Sequence, residues 1–134
     1  MSAEFSIEVD PQRDLVRIRM AGFFRPADIA DFVEARQAAH EALGCAPNAH
    51  LTLNDIRGMS IQAHDVVDAF REMLAAPEYR SRRLAFVVAN TLARSQAIRA
   101  IESREARWFE DNAQAEAWLF ADELAEMPRR RAAG

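Results

Sequence analysis

Phe5, Ile7 and Val9 alternate with polar residues, and Val16, Ile18 and Met20 alternate with Arg17 and Arg19. A period of two marks strands with one buried face. Asp10-Pro11-Gln12-Arg13-Asp14 between them is a turn cluster short enough for a β-hairpin. The chain is therefore predicted to open with an antiparallel pair. Ala21-Gly22 breaks the second strand, and Pro26 suits the first turn of a helix, where its missing donor costs nothing. Ile29, Phe32, Val33 and Leu43 form a helical stripe with Ala35 and Ala39 nearby, and Gly44 is a C-terminal stop.

A short apolar strand around His50–Asn54 follows, running into Asp55-Ile56-Arg57-Gly58-Met59-Ser60. Val66, Val67, Phe70, Met73 and Leu74 mark a second helix that ends before Pro77. Leu84–Ala89 is an unbroken apolar run, as expected of a central strand buried on both faces. Asn90 or Thr91 caps the next helix, whose apolar side uses Leu92, Ala97, Ile98 and Ile101. Ala106–Phe109 reads as a final strand. Asp111, three residues before Gln114, forms a capping box for a last helix carrying Ala117, Trp118, Leu119 and Leu124.

The predicted order is ββαβαβαβα, an α/β sandwich with a mixed, mostly parallel sheet covered by helices. Repeats, low-complexity segments and linkers are not evident. The expectation is one domain over 1–134, with a core of about 4–126 and a frayed tail from Arg129 onward.

Composition narrows the function classes. A net charge of -4 gives no footing for nucleic-acid binding, and all 17 basic residues are Arg. Cys45 is the only cysteine, which rules out an intrachain disulfide and fits a reducing compartment. No apolar stretch approaches the ~20 residues of a membrane span. The start has no basic region followed by an apolar run, so no signal peptide is read and a cytoplasmic location is expected. Six arginines between Arg80 and Arg104 face one acid, Glu102, which leaves open a solvated face or an acidic or anionic partner.

The strand order and several segments resemble the STAS-like proteins related to the anti-sigma-factor antagonist SpoIIAA. The resemblance is to a divergent, uncharacterised branch also grouped with lipid-binding CRAL-TRIO domains. The matching residues are Leu15-Val16-Arg17-Ile18, Gly22 with the Pro26 helix start, and Leu51-Thr52-Leu53-Asn54-Asp55-Ile56-Arg57. The Leu84–Ala89 strand and Trp108-Phe109-Glu110-Asp111 with Ala117-Trp118-Leu119 complete the match over roughly residues 4–120. It implies a non-catalytic regulatory or protein-interaction module with no cofactor. In phospho-regulated members, a strand ending in Asp leads through a Gly-containing loop to an Asp-Ser-Ser-Gly whose Ser is phosphorylated. Asp55 and Gly58 match the early part of that loop. Ala63-His64-Asp65-Val66 stands where the acceptor would be, so the acceptor Ser is absent.

The binding residues expected in the loop after the third strand are Asp55, Arg57, Gly58, Ser60, His64 and Asp65. Asp55 either contacts a partner or fixes the turn through backbone N–H groups. Arg57 either grips an anion or pairs with Asp55 or Asp65. Gly58 is expected to supply a positive φ. Ser60 is the loop's single hydroxyl, and reads as a cap or turn residue more than a modification site. His64 is an exposed or pH-sensitive contact. A second candidate is an anion site at Asn90, Thr91 and Arg94, where a helix start could hold a phosphate or carboxylate together with Arg57.

His40, Cys45 and His50 lack a fourth metal ligand nearby, so no metal is expected, and they read as a small buried thiol and two ordinary histidines. Trp108, Phe109, Trp118 and Phe120 are expected in the core, or in a homodimer interface. The working hypothesis is a protein-binding module. The alternative is a small carrier of a lipid, amphiphilic or anionic molecule.

Overall fold

The computed structural model describes residues 2–45, 49–60, 62–75, 81–89 and 106–121. Five strands form one sheet in the order β1 (Glu4–Asp10), β2 (Leu15–Gly22), β3 (Leu51–Met59), β4 (Arg83–Val87) and β5 (Ala106–Phe109). β1 and β2 are antiparallel, and the other three pairings are parallel. The helices are α1 (Pro26–Leu43), α2 (His64–Ala75) and α3 (Asn112–Leu119). The expected helix beginning at Asn90, with its Leu92, Ala97, Ile98 and Ile101 face, lies outside the described residues. So do Leu124 and the basic tail.

The opening hairpin closes through Pro11–Asp14, with Arg13 N–H donating to Asp10 C=O at 3.3 Å and Asp14 at a φ of 51°. Its register pairs Phe5 with Met20, Ile7 with Ile18 and Val9 with Val16, so the alternating apolar residues share one face. α1 lies against that face. Its buried positions Phe32, Arg36, Ala39 and Leu43 recur at helical spacing. Asp28 accepts the Arg25 N–H at 2.8 Å to fasten the start of the helix, and Gly44 ends it in the left-handed region at φ 68°. Val66 of α2 completes the apolar cluster with Val16, Ile18, Met20 and Phe24, and the Phe24 and Phe70 rings meet edge-on at 5.7 Å.

The opposite face packs against α3. Leu15, Leu51, Leu53, Ala85 and Val87 from the strands meet Ala115, Leu119 and Phe120. Asp111 Oδ1 accepts the Gln114 N–H at 2.8 Å, as the capping pattern predicts. The buried side of α3 is Ala115 and Leu119, whereas Ala117 is exposed. A single α3 turn reads ambiguously from sequence because the helix is short.

The apolar run Leu84–Val88 is buried as expected, but the central strand of the sheet is β3, with β4 beside it. Ala21-Gly22 does not end β2 early. Both residues pair with β3, Ala21 with Gly58 and Gly22 with Met59, after a register shift between Arg19 and Ala21. Gly22 sits at φ 85°, and a Cβ there would collide with the Ser2 carbonyl oxygen. Gly22→Ala combines that clash with a strained backbone and is expected to cost about 2 kcal/mol or more. Gly44→Ala, whose Cβ would meet open space, carries only the φ strain of about 1 kcal/mol. Urea unfolding midpoints of the two variants check the difference.

Candidate functional site

At the carboxyl end of the parallel strands, the side chains expected in a loop belong to the sheet. β3 continues to Met59, so Asp55, Arg57 and Gly58 are strand residues. The extension follows from β2, whose Ala21 and Gly22 offer backbone partners that the sequence of β3 does not reveal. Gly58 also departs from expectation, since its φ is not positive. It is needed for close approach: a Cβ would lie 2.9 Å from Ala21 Cβ.

Asp55 and Arg57, two apart on one strand, project from the same face of the sheet. Arg57 Nε donates to Asp55 Oδ1 at 3.0 Å and Nη2 donates to Oδ2 at 2.7 Å, a two-pronged pair. The Arg57 backbone N–H adds a third bond to Oδ1 at 3.1 Å. Burial pushes the Asp55 carboxyl up, but the Arg57 hydrogen bonds and the charges of Arg57 and Arg19 outweigh it and hold it below the usual carboxylate range. Arg57 is raised in turn, mainly by its bond to Asp55. Of the alternatives open for Arg57, the structure shows the one in which Asp55 neutralises it.

Ser60 follows directly. It is half-buried, and its N–H donates to Gly22 C=O at 3.1 Å. His64 and Asp65 form the first turn of α2 and are exposed, with Asp65 Oδ1 accepting the Val66 N–H at 3.0 Å. Asn90, Thr91 and Arg94, the second candidate, lie outside the described residues.

The residue that organises this end of the sheet is Gln62, which the sequence does not signal. Its carboxamide is buried. Oε1 accepts the Phe24 N–H at 2.8 Å, while Nε2 donates to Gly22 C=O at 3.0 Å and Ser60 C=O at 2.5 Å. One side chain thus ties the segment after β2 to the segment after β3. Its only sequence trace is a lone Gln between two strand-helix junctions, and amide partners far apart in the chain are not readable locally.

A second polar group lies at the opposite end of the same strand. His50, Thr52 and Asn54 fall on one face of the chain, all with less than a tenth of their surface exposed. His40 Nε2 lies 3.0 Å from His50 Nε2, and the Ser81 hydroxyl lies 3.1 Å from the same His50 nitrogen and 2.6 Å from Thr52 Oγ1. The two histidines expected to be ordinary are a coupled pair. The Ser81–His50 contact resembles a nucleophile and base, yet both residues are buried and Ser81 is engaged by Thr52. Asn54 Oδ1 is buried with no hydrogen-bond partner. Cys45 is partly exposed, not a fully buried thiol. Among the described residues, no three His, Cys, Asp or Glu side chains are grouped to hold a metal ion.

The aromatic expectation divides. Phe120 is buried, Phe109 and Trp118 pack half-buried with rings 5.8 Å apart, and Trp108 is 39 % exposed. Among the described strands β5 is one of the two at the sheet edges, and Trp108 faces away from α3, which accounts for its exposure. Among the described residues, no helix is long and apolar enough to cross a membrane.

No protein-family model and no curated protein matches the sequence. Among solved structures, the chain is similar to an uncharacterized protein of the DUF3478 family from Shewanella loihica PV-4, described as having a SpoIIAA-like fold. The TM-score is 0.65 at 18% identity, over 88% of this chain and 94% of that one. The fold of this chain is SpoIIAA-like.

Two outcomes follow from the geometry. Gln62→Leu leaves the buried Phe24 N–H without its partner and Gly22 C=O with only the Ser60 N–H, and is expected to cost about 1–3 kcal/mol, measured by chemical denaturation. Arg57→Ala is expected to raise the Asp55 pKa, read by carboxyl NMR titration. Because the folded-state value is depressed, the Asp55 contribution to stability is present above the unfolded value near ~3.9 and is lost as pH falls through the folded one. In the variant, that loss on acidification shrinks.

Proposed function

We propose that this SpoIIAA-like chain is a non-catalytic regulatory or protein-interaction module whose partner docks at the carboxyl end of β3 and along α2. The observation that carries this reading is the combination found there. Asp55 and Arg57 neutralise one another, so neither is poised for acid-base work, while α2, the next element along the chain, presents His64, Asp65, Asp68 and Arg71 to solvent. Exposed charge of both signs on an amphipathic helix suits a partner read by complementary charge. The apolar residues Val67, Phe70 and Met73 of α2 are half-buried and can extend such a contact at its edge. The Asp-Ser-Ser-Gly acceptor is missing, so recognition here does not depend on a conventional phosphoserine.

The carrier alternative finds less support. Among the described residues, a depression beside the hairpin turn is lined by Glu8, Val9, Asp10, Pro11, Gln12 and Arg17, and this charged rim does not suit an acyl chain. An anion shared with Arg57 would meet a guanidinium whose charge Asp55 already neutralises.

The test uses the exposed charge reversals Asp68→Arg and Arg71→Glu, which leave the core untouched. A partner recovered with the purified protein and then titrated against it is expected to bind about tenfold more weakly to the double variant. Unchanged affinity would place the interface elsewhere. A native mass spectrum carrying a stoichiometric small-molecule adduct, lost on denaturation, would favour the carrier instead.

A further inference from the structure

Hydrogen-bond bookkeeping at the His40–His50 contact leaves little freedom. The Arg36 carbonyl, one turn earlier on α1, lies 2.8 Å from His40 Nδ1. A carbonyl only accepts, so Nδ1 carries the proton, and a neutral His40 has a bare Nε2. His50 Nε2, 3.0 Å away, must then be the donor. The contact therefore contains one proton, and the tautomers of both rings follow from a backbone carbonyl. The Ser81 oxygen lies beside the same N–H, and its own short contact with Thr52 continues the chain of hydrogen bonds into β3.

The arrangement tolerates one imidazolium and not two. With one ring charged, the contact still holds a single proton between the two Nε2 atoms. With both charged, two N–H groups would face each other at 3.0 Å with no acceptor between them. The surroundings oppose even the first charge. His50 is 3 % exposed and His40 is partly buried, with rings crossing at 69° and 4.4 Å between centres. Among the described residues, the Arg36 guanidinium, itself buried on α1, is a charged group acting on His40. Glu41 next to His40 on α1 and Arg82 next to Ser81 are exposed, Cys45 beyond the end of α1 is half-buried, and β3 offers only the hydroxyl of Thr52 and the amide of Asn54.

We propose that the His40–His50 pair is a proton-operated latch between the end of α1 and the start of β3, closed while the pair is neutral and opened by protonation of both rings. Acid would then free the Gly44 turn and the first residues of β3 from α1, without disturbing the Asp55–Arg57 pair at the far end of the strand. The latch is independent of the interaction reading above.

The direction with pH follows from linkage. Burial, with Arg36 adding to it against the Arg36 carbonyl bond, lowers the His40 pKa from its ordinary value. A group held neutral by the fold binds fewer protons than in the unlatched chain. The latched state therefore loses stability as pH falls from the free-histidine value near ~6.5 toward the lower latched value.

The experiment is side-chain nitrogen NMR of the three histidines, with amide exchange over residues 40–54. His64, exposed on α2 and outside the pair, supplies the control substitution. At neutral pH, His40 is expected as the Nδ1–H form and His50 as the Nε2–H form, with His40 staying neutral below the free-histidine value near ~6.5. Protection of the Leu51 and Leu53 amides, corrected for intrinsic exchange, is expected to drop about tenfold per unit separating latched and free pKa values as pH falls from about 7 to about 5. His40→Gln should flatten that drop, and His64→Gln should leave it intact. Equal drops in wild type and His40→Gln would overturn the latch. So would two rings that titrate near the free-histidine value of ~6.5 with interconverting tautomers, a readout on the wild-type chain that stands even where His40→Gln fails to fold.

Discussion

The structure depends on β3 being hydrogen-bonded on both edges and covered on both faces. Parallel pairing to β2 on one side and β4 on the other fixes its register twice. Leu51 and Leu53 then point into the apolar layer beneath α3, and the alternate residues must point the other way. Those alternate residues are His50, Thr52 and Asn54. A strand buried on both faces commonly reads as continuous apolar sequence, and this one does not. Each polar group placed there must find a partner or carry a cost of about 1–3 kcal/mol.

His50 and Thr52 meet that demand through His40 and Ser81, residues brought from the end of α1 and the approach to β4. Asn54 meets it incompletely, as its Oδ1 is buried and unbonded between the registers of Ile18 and Phe86. The polar column thereby couples α1, β3 and β4 at one end of the sheet. Gln62 couples β2, β3 and the approach to α2 at the other. Directional bonds specify which segments meet, and the apolar clusters supply most of the stabilisation.

The two ends differ in electrostatic character. At the carboxyl end, opposite charges meet in a solvent-accessible pair, with Arg57 43 % exposed, so salt screens it and its contribution to stability is small. At the amino end, two imidazoles meet beside a buried guanidinium, where screening is weak and a second charge leaves two N–H groups facing each other. This second end is sensitive to protonation.

The sequence by itself determined the local elements: the alternating hairpin, Pro26 opening α1, Gly44 closing it, and Asp111 capping α3. Each is governed by residues within four positions of one another, where propensity and capping chemistry act. Element order and right-handed crossovers also made the mixed, mostly parallel sheet legible, while the SpoIIAA-like arrangement entered as a resemblance carried by segments such as Leu51–Arg57. Only the tertiary structure decided the rest. Gly58 reads as a turn residue until Ala21 is placed beside it, and Asp55 reads as a loop end until β2 offers a partner for the strand beyond it. His40 and His50, ten residues apart, and Gln62 with Phe24, 38 apart, meet because the sheet register brings them within hydrogen-bond reach. Hydrogen bonding and close packing act over a few ångströms in space, and sequence spacing carries that distance only within a helix turn or along a strand.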